Sequence, residues 1–359
     1  MKCNGGYDML EQKIQVSAQS EADINWQAFE TYIRSNLNNL DSSPMIVKQF
    51  SEGYSNLTFL IQIGSWEAVL RRPPFGKIPP KAHDVEREFR LLEKINPVFS
   101  FAPKPYLYHE DPEIMDKHFY LMEKKTGIVL DDTIPPDYDE IPLIRELISE
   151  STVDTLVQLH DIDYQKAGLA SLGRPEGYLE RQVHGWLKRY QNSKTDEMAI
   201  YEDIEKWILA HVPDSPSPTI IHNDFKLNNM MFSITDPGKP IAVFDWELSA
   251  IGDPLTDLAS AVAYWKDEND PFTAINSVTS LGGFYSRQEF LERYAKKSNR
   301  DLSNFDFYLA FAYFKIAAIL QQIYYRWKMG YLLDERFSSL HEGIKNLLIL
   351  SHDVIHSRR

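Results

Sequence analysis

The rhythm of apolar and polar positions changes twice along this chain. In the stretch INWQAFETYIRSNL, Ile24, Phe29, Ile33 and Leu37 recur at helical spacing, so the polar first forty residues are expected to carry one short amphipathic helix. From residue 46 the runs IVKQF, NLTFLIQIG and WEAVLRR are short and rich in β-branched and aromatic residues. They are separated by SEGYS and by Gly64-Ser65, which predicts an antiparallel meander ended by Pro73-Pro74 and Pro79-Pro80. A charged helix, AHDVEREFRLLEKI, follows with Val85, Phe89, Leu92 and Ile95 on one stripe. PYLYHED and HFYLMEKK then read as two further strands.

After about residue 125 the patterning becomes mostly helical. TGIVLDDTIPPDYDEIP is an acidic, proline-containing connection, and RELISESTVDTLVQLH, EGYLERQVHGWLKRY and DEMAIYEDIEKWILAH follow it. Ser286-Arg287-Gln288-Glu289 is a capping-box pattern that opens another helix. The longest apolar stretch, FYLAFAYFKIAAILQQIYY, is interrupted by Lys315, Gln321 and Gln322, so it reads as a buried helix and not as a membrane span. The pattern as a whole predicts an α+β chain. A helical extension (1–40) precedes a small antiparallel-sheet lobe with one main helix (41–125) and a larger, mostly helical lobe (126–359). At 359 residues the chain amounts to about 2.4 average domains, in keeping with two lobes.

Charge and cysteine content narrow the chemistry. Against 52 acidic side chains stand 38 basic ones, a net charge of −14, and no run of lysine or arginine is long enough to build a basic face. A nucleic acid is therefore disfavoured as partner. Cys3 is the only cysteine, which excludes an internal disulfide and a thiolate metal cluster. The opening MKCNGGYDML has no apolar stretch followed by a small-residue cleavage site, so the expected location is cytoplasmic.

The most informative segments are TIIHNDFKLNNMMF and IAVFDWELSAIGDPLTDLA. TII, NMMF and IAVFD read as short buried strands, which makes His222 to Asn229 a loop and puts Asp245 at a strand end, the kind of place where chemistry is mounted. Alone, Asp245 reads as a cap or turn former and His222 as a structural hydrogen bonder. Together, the His-x-Asp-x4-Asn run and the Asp-Trp-Glu after it supply a general base and hard oxygen donors of the kind that suit Mg²⁺.

These segments, with EGYSNLTF (52–59), AVLRRPP (68–74), VEREFRLL (85–92), LMEK (121–124) and LVQLHDID (156–163), resemble the aminoglycoside phosphotransferase and choline kinase superfamily. The branch most similar is the one also found fused to acyl-CoA dehydrogenases. The resemblance runs from about residue 45 to about 330 and implies a protein-kinase-like bilobal fold, with ATP and Mg²⁺ as cofactors and a small-molecule hydroxyl as acceptor. It implies that Asp224 takes or orients the hydroxyl proton, that Asn229 and Asp245 hold magnesium, and that His222 orients the loop. Arg71 falls where relatives carry a phosphate-contacting lysine, and Glu88 where its ion-pair partner stands. Arg72 and Glu86 compete for these two roles. Strand alternation puts Arg71 on the face of Val69 and Arg72 on that of Leu70.

Gly53, Ser55 and Asn56 are expected to close over the phosphates, and Met122, Glu123 and Lys124 to border the adenine. Lys226, two residues after Asp224, is a second cation for the γ-phosphate. Asp253 and Asp257 read as capping residues of the helix that begins at Pro254, His160 and Asp161 as packing determinants beneath the loop, and Trp246 and Glu247 as structural supports, with Glu247 close enough to the expected metal site to take part in it. Asn223 departs from the family pattern, which often has glycine there. The acceptor surface is expected from Tyr178, Trp186, Tyr190, Tyr264, Trp265, Tyr324, Tyr325 and Trp327, aromatic residues that would suit a cationic amine or an aminoglycoside. The alternative is a pseudokinase or nucleotide-binding regulatory module without transfer. A metal-dependent hydrolase is disfavoured, because the ten histidines show no H-E-x-x-H spacing.

Overall fold

A computed structural model describes residues 24–50, 56–74 and 84–357. The chain divides into two compact units, one running to Gly127 and including Ile241–Glu247, the other comprising Ile128–Pro240 and Leu248 onward.

The first unit is built on a five-stranded antiparallel sheet. Its strands are β1 (Met45–Gln49), β2 (Leu57–Ile63), β3 (Trp66–Arg72), β4 (Pro105–His109) and β5 (Phe119–Glu123), in the order β1-β2-β3-β5-β4. The β2–β3 turn places Gly64 at φ +59°, where a side chain would be strained and a Cβ would also meet the Asp41 carboxylate. Helix α1 (Trp26–Asn36) is capped by Asn25, which accepts from the Ala28 N–H at 3.0 Å. Its buried Phe29 and Ile33 join Phe59, Ile61, Ala68, Leu70, Phe119 and Leu121 in one core, so residues from Ile24 on are part of this unit. Helix α2 (Val85–Ile95) begins at the N-cap Asp84 and buries Val85, Phe89, Leu92 and Ile95. Phe89 packs against Tyr108 and Tyr120, side chains of β4 and β5.

In the second unit, β6 (Ile128–Val129) is followed by α3 (Pro136–Asp139), α4 (Ile144–His160), α5 (Tyr178–Ser193) and α6 (Ala199–Ala210). Short strands β7 (Thr219–Ile221) and β8 (Met230–Phe232) flank the loop of interest. β9 (Pro240–Val243) leads into the segment assigned to the first unit, and β10 (Ala250–Gly252) returns to pair antiparallel with β7. Helices α7 (Pro254–Tyr264), α8 (Arg287–Ser298), α9 (Phe305–Lys328) and α10 (Leu340–His356) complete it. The Ser286–Glu289 capping box opens α8 as expected. Helix α9 is the one described helix long and apolar enough to cross a membrane, but 67% of that window is buried inside the protein, where it packs against α5, α7 and α10. It is the core helix of this unit. Placing Ile241–Glu247 in the first unit differs from the single expected break near residue 125. The backbone explains it, because Val243 N–H donates to the Phe101 carbonyl at 2.8 Å and Trp246 packs edge-on to Phe99.

Candidate active site

Strand β3 sorts its two arginines to opposite faces. Leu70 and Ala68 enter the core beneath α1, and Arg72 on that face is fully buried, held by Asp116 at 2.6 Å. Arg71 faces α2, where its Nη1 meets Glu88 Oε1 at 3.1 Å and Asp245 Oδ1 at 2.9 Å, and its Nη2 lies 3.6 Å from Glu247 Oε2. Glu86 is exposed and pairs instead with Arg90 on the same helix. Strand alternation separates the two arginines but leaves the choice between them open, since Ala68 and Leu70 are apolar as well as Val69; these contacts put Arg71 in the cluster and pair it with Glu88. Burial pushes the Glu88 carboxyl up, with Asp245 and Glu247 adding to the effect, and the Arg71 guanidinium opposes it. Burial works against the Arg71 charge too, yet its three carboxylate neighbours and Tyr120 leave its pKa raised overall.

Asp245 lies just past β9 with φ +61°, a left-handed backbone conformation uncommon outside glycine, asparagine and aspartate, and its side chain is half-exposed. Of the two residues expected to be supports, Trp246 is one, since it is buried and its indole N–H donates to the Val243 carbonyl at 2.8 Å. Glu247 does more. It flanks Arg71, accepts from Asn56 Nδ2 at 3.4 Å, and through its carbonyl accepts from Arg87 Nη1 at 2.9 Å. Nothing in the sequence pattern singles out Arg87. Gly53 and Ser55 lie outside the described residues, whereas Asn56 is buried in this cluster. Met122 and Glu123 end β5; the Glu123 carboxylate accepts from the Lys104 N–H at 3.2 Å, and Lys124 pairs with Glu67 at 2.5 Å.

The second unit carries the His222–Asn229 loop between β7 and β8. Its apolar members Phe225 and Leu227 are buried and anchor it from below. Asn229 Nδ2 donates to both the carbonyl and the Oδ2 of Asp224 at 2.8 Å, and Lys226 Nζ lies 3.1 Å from the same Oδ2. His222 is fully buried, and its Nδ1 accepts from the Asp224 N–H at 3.3 Å. Asp224, Lys226 and Asn229 are therefore brought together, and His222 acts on the loop backbone.

What holds the loop is Asp257, in the first turn of α7. Its carboxylate accepts from the His222 N–H and the Asn223 N–H, both at 2.7 Å, and from His160 Nε2 at 3.2 Å. It is completely buried. Although burial pushes its carboxyl up, the His160 hydrogen bond and the nearby His160, together with His222, hold it below the usual range. His160 in turn bonds Tyr294 OH through Nδ1 at 2.7 Å, and burial lowers its pKa. A neutral ring with Nε2–H donating to Asp257 and Nδ1 accepting from Tyr294 fits both contacts. Reading Asp257 as a helix cap misses this role. The available signal is its spacing from Asp253, which is the actual N-cap and accepts from the Leu255 N–H at 2.9 Å.

Asn223 has φ +68°, a left-handed conformation that glycine adopts most readily, which fits the glycine expected here from the family pattern. Asparagine meets the same backbone demand and adds side-chain anchors: Nδ2 donates to the Leu248 carbonyl at 2.9 Å, and Oδ1 accepts from Tyr178 OH at 3.1 Å. Gly252 on β10 gives the Tyr178 ring its room, since a Cβ there would stand 2.9 Å from two ring carbons. Gly252→Ala is expected to cost about 1–3 kcal/mol and to loosen the Tyr178–Asn223 bond. Chemical denaturation together with turnover checks this; a variant as stable and active as the wild type would contradict it.

A family model described as the phosphotransferase enzyme family matches residues 46–293. The chain belongs to that family. This phosphotransferase is 34% identical over 311 residues to acyl-CoA dehydrogenase family member 11 of Homo sapiens, a match covering 85% of this chain and 40% of that protein. The chain thus spans less than half the length of the curated relatives it matches. Among solved structures, a putative aminoglycoside phosphotransferase from Ralstonia eutropha superimposes with a TM-score of 0.80 at 26% identity, covering 93% of this chain and 99% of that one. A thermostable mutant of aminoglycoside phosphotransferase APH(4)-Ia, solved with AMP-PNP and hygromycin B, shares the fold with a TM-score of 0.59 at 15% identity, covering 90% of this chain and 97% of that one. The α+β, protein-kinase-like architecture read from the sequence is the one observed.

Of the aromatic residues expected to line an acceptor surface, Tyr178, Tyr190, Trp265 and Tyr324 are buried, and Tyr190 stacks on Tyr201. Trp186 and Tyr264 are half-buried, and both already carry protein cations against their rings.

Proposed function

We propose that this phosphotransferase moves the γ-phosphoryl group of ATP, taken up as its magnesium complex, to a hydroxyl group of a small molecule. The acceptor oxygen forms a bond to the γ-phosphorus as the bond to the β-phosphate oxygen breaks and ADP leaves, and the hydroxyl proton passes to Asp224. The observation that best supports this reading is the buried Arg71 guanidinium, held by Glu88 and Asp245 on a strand where a phosphate-binding cation is needed. A guanidinium keeps its charge and can meet a phosphate through two N–H groups, so arginine preserves the electrostatic role of the usual lysine.

Asp245 offers a half-exposed carboxylate and Asn229 an amide oxygen, since the amide donates to Asp224 through Nδ2. Hard oxygen donors of this type fit magnesium, which when bound neutralises charge on the phosphate oxygens. Lys226 is assigned to the γ-phosphate and Asn56 to the closing loop with Gly53 and Ser55. Met122, Glu123 and Lys124 are assigned to the adenine, and His222 to orienting the loop.

A magnesium-dependent ATP-consumption screen across amines, sugars, hydroxyacyl compounds and aminoglycosides tests the activity. In the same assay Arg71→Met is expected to lower kcat/KM for ATP by about 10²–10³-fold, while Arg71→Lys retains a measurable part of it. Unfolding is followed in parallel, because methionine leaves Glu88 buried without its cation. Unchanged ATP kinetics in both variants would remove Arg71 from the phosphate site.

A further inference from the structure

Lys315 stands midway along α9, in the otherwise apolar run FYLAFAYFKIAAIL. Its ammonium lies 3.5 Å from the Asn223 carbonyl oxygen, one residue before Asp224, and 5.9 Å from the centre of the Trp186 ring. No carboxylate among the described residues forms an ion pair with it. Burial lowers its pKa, while Asp257 and Asp224 act in the opposite sense through space. An ammonium so placed has given up much of its hydration for one long hydrogen bond and a ring face.

The neighbouring cations sharpen the point. Arg189 on α5 sets its guanidinium 4.6 Å from the centre of the same Trp186 ring, and Lys226 lies 5.0 Å from the Tyr264 ring as well as beside Asp224. Asp257 is already engaged by two backbone N–H groups and His160. Around the loop, among the described residues, Lys315, Arg189 and Lys226 stand against Asp224 and the exposed Asp131, which accepts from Asn228 Nδ2 at 3.3 Å, so cations outnumber the carboxylates with capacity to spare even in a chain whose net charge is −14. A cationic acceptor would add a fourth positive charge where two already flank Trp186.

We propose that the acceptor carries an anionic group, a carboxylate or a phosphate, which Lys315 binds together with Arg189, making Lys315 a specificity-determining residue of this kinase. The proposal rests on Asp224 being the group that receives the hydroxyl proton, and it reverses the charge expected from the aromatic content alone. The bound anion completes the hydrogen bonding of the Lys315 ammonium and sets the hydroxyl of the same molecule against the catalytic loop.

The test is magnesium-dependent ATP consumption by the full chain with four series of matched length: short hydroxy acids, the corresponding phosphomonoesters that keep a free hydroxyl, hydroxy amides and amino alcohols. Members of the acid or phosphomonoester series should be turned over at least about tenfold more efficiently than the amides and amino alcohols, and whichever series leads identifies the anion. In Lys315→Met the KM for that series should rise at least about tenfold more than the KM for its amide, and Lys315→Arg should restore the preference. Arg189 is exposed, so Arg189→Ala probes the same preference without touching the core, and it should narrow it too. Equal use of all four series, or a preference for amino alcohols, overturns the anionic acceptor and leaves phosphotransfer standing. A loss in Lys315→Met that is equal for acids and amides reduces Lys315 to a tether of the Asn223 carbonyl. No ATP consumption with any of the four series, where a sugar or aminoglycoside of the wider screen is turned over, also overturns the anionic acceptor; none in either screen overturns the phosphotransfer reading itself.

Discussion

Asp224→Asn is expected to lower kcat by about 10²–10⁴-fold, the range lost with a general base, while ATP binding changes little. The asparagine side chain nearly matches the aspartate in size, so the Asn229 contacts to the residue 224 carbonyl and the buried Phe225 and Leu227 can keep the loop in place. What disappears is the negative charge next to Lys226 and the capacity to take a proton from the acceptor. Steady-state kinetics with nucleotide binding measured separately makes the distinction. Transfer to the true acceptor at near wild-type rate would show that another group, or solvent, receives the proton, and the assignment of Asp224 would fall.

Asp257→Ala is expected to be the most destabilising single change near the loop, costing about 3–5 kcal/mol. It removes the acceptor for two buried backbone N–H groups and for His160 at once, and each buried donor left without a partner costs about 1–3 kcal/mol. Urea denaturation gives the loss of stability. Hydrogen exchange at the amides of His222 and Asn223 should accelerate more than at the centre of α9. Uniform acceleration throughout the second unit would mean that Asp257 supports the fold in general and not the loop in particular.

The same network carries a pH dependence whose sign follows from its members. His160 is held neutral by burial, so its folded pKa lies below the ordinary value of about 6.5. As pH falls below about 6.5 the unfolded chain takes up a proton that the folded chain refuses, and stability declines until the folded pKa is passed. Asp257, whose folded pKa is also depressed, adds a further loss at lower pH, beginning near the unfolded carboxylate value of about 3.9. His160→Gln should flatten the first segment of this curve and also shrink the second, because His160 is the main group holding the Asp257 carboxyl down.

Much of the site is legible in the amino-acid sequence, for identifiable reasons. Strand alternation alone puts Arg71 and Arg72 on opposite faces, because successive side chains on a strand must diverge, and the Arg71–Glu88 contact follows from that face meeting α2. The Asp253-Pro254 start of α7 and the Ser286–Glu289 box are likewise local, since capping depends on residues within a turn. By contrast, no local pattern marks Asp257 as the anchor of a loop 34 residues earlier in the chain, nor Glu247 as a neighbour of Arg71 across 176 positions. The helix near the N-terminus is legible as an element, but its membership in the core of the first unit depends on Phe59 and Phe119 receiving it.

The sequence by itself determined the elements, the α+β class and the side-chain types of the residues proposed for phosphoryl transfer. These depend on periodicity and side-chain type, which are properties of a few neighbouring positions. Only the tertiary structure decided which charges meet. It chose Glu88 over Glu86, buried several of the expected acceptor aromatics in the core, and brought Lys315 from the middle of an apolar helix to the carbonyl of Asn223. Electrostatic interactions act through space and depend on burial, and neither quantity is defined until the chain has folded.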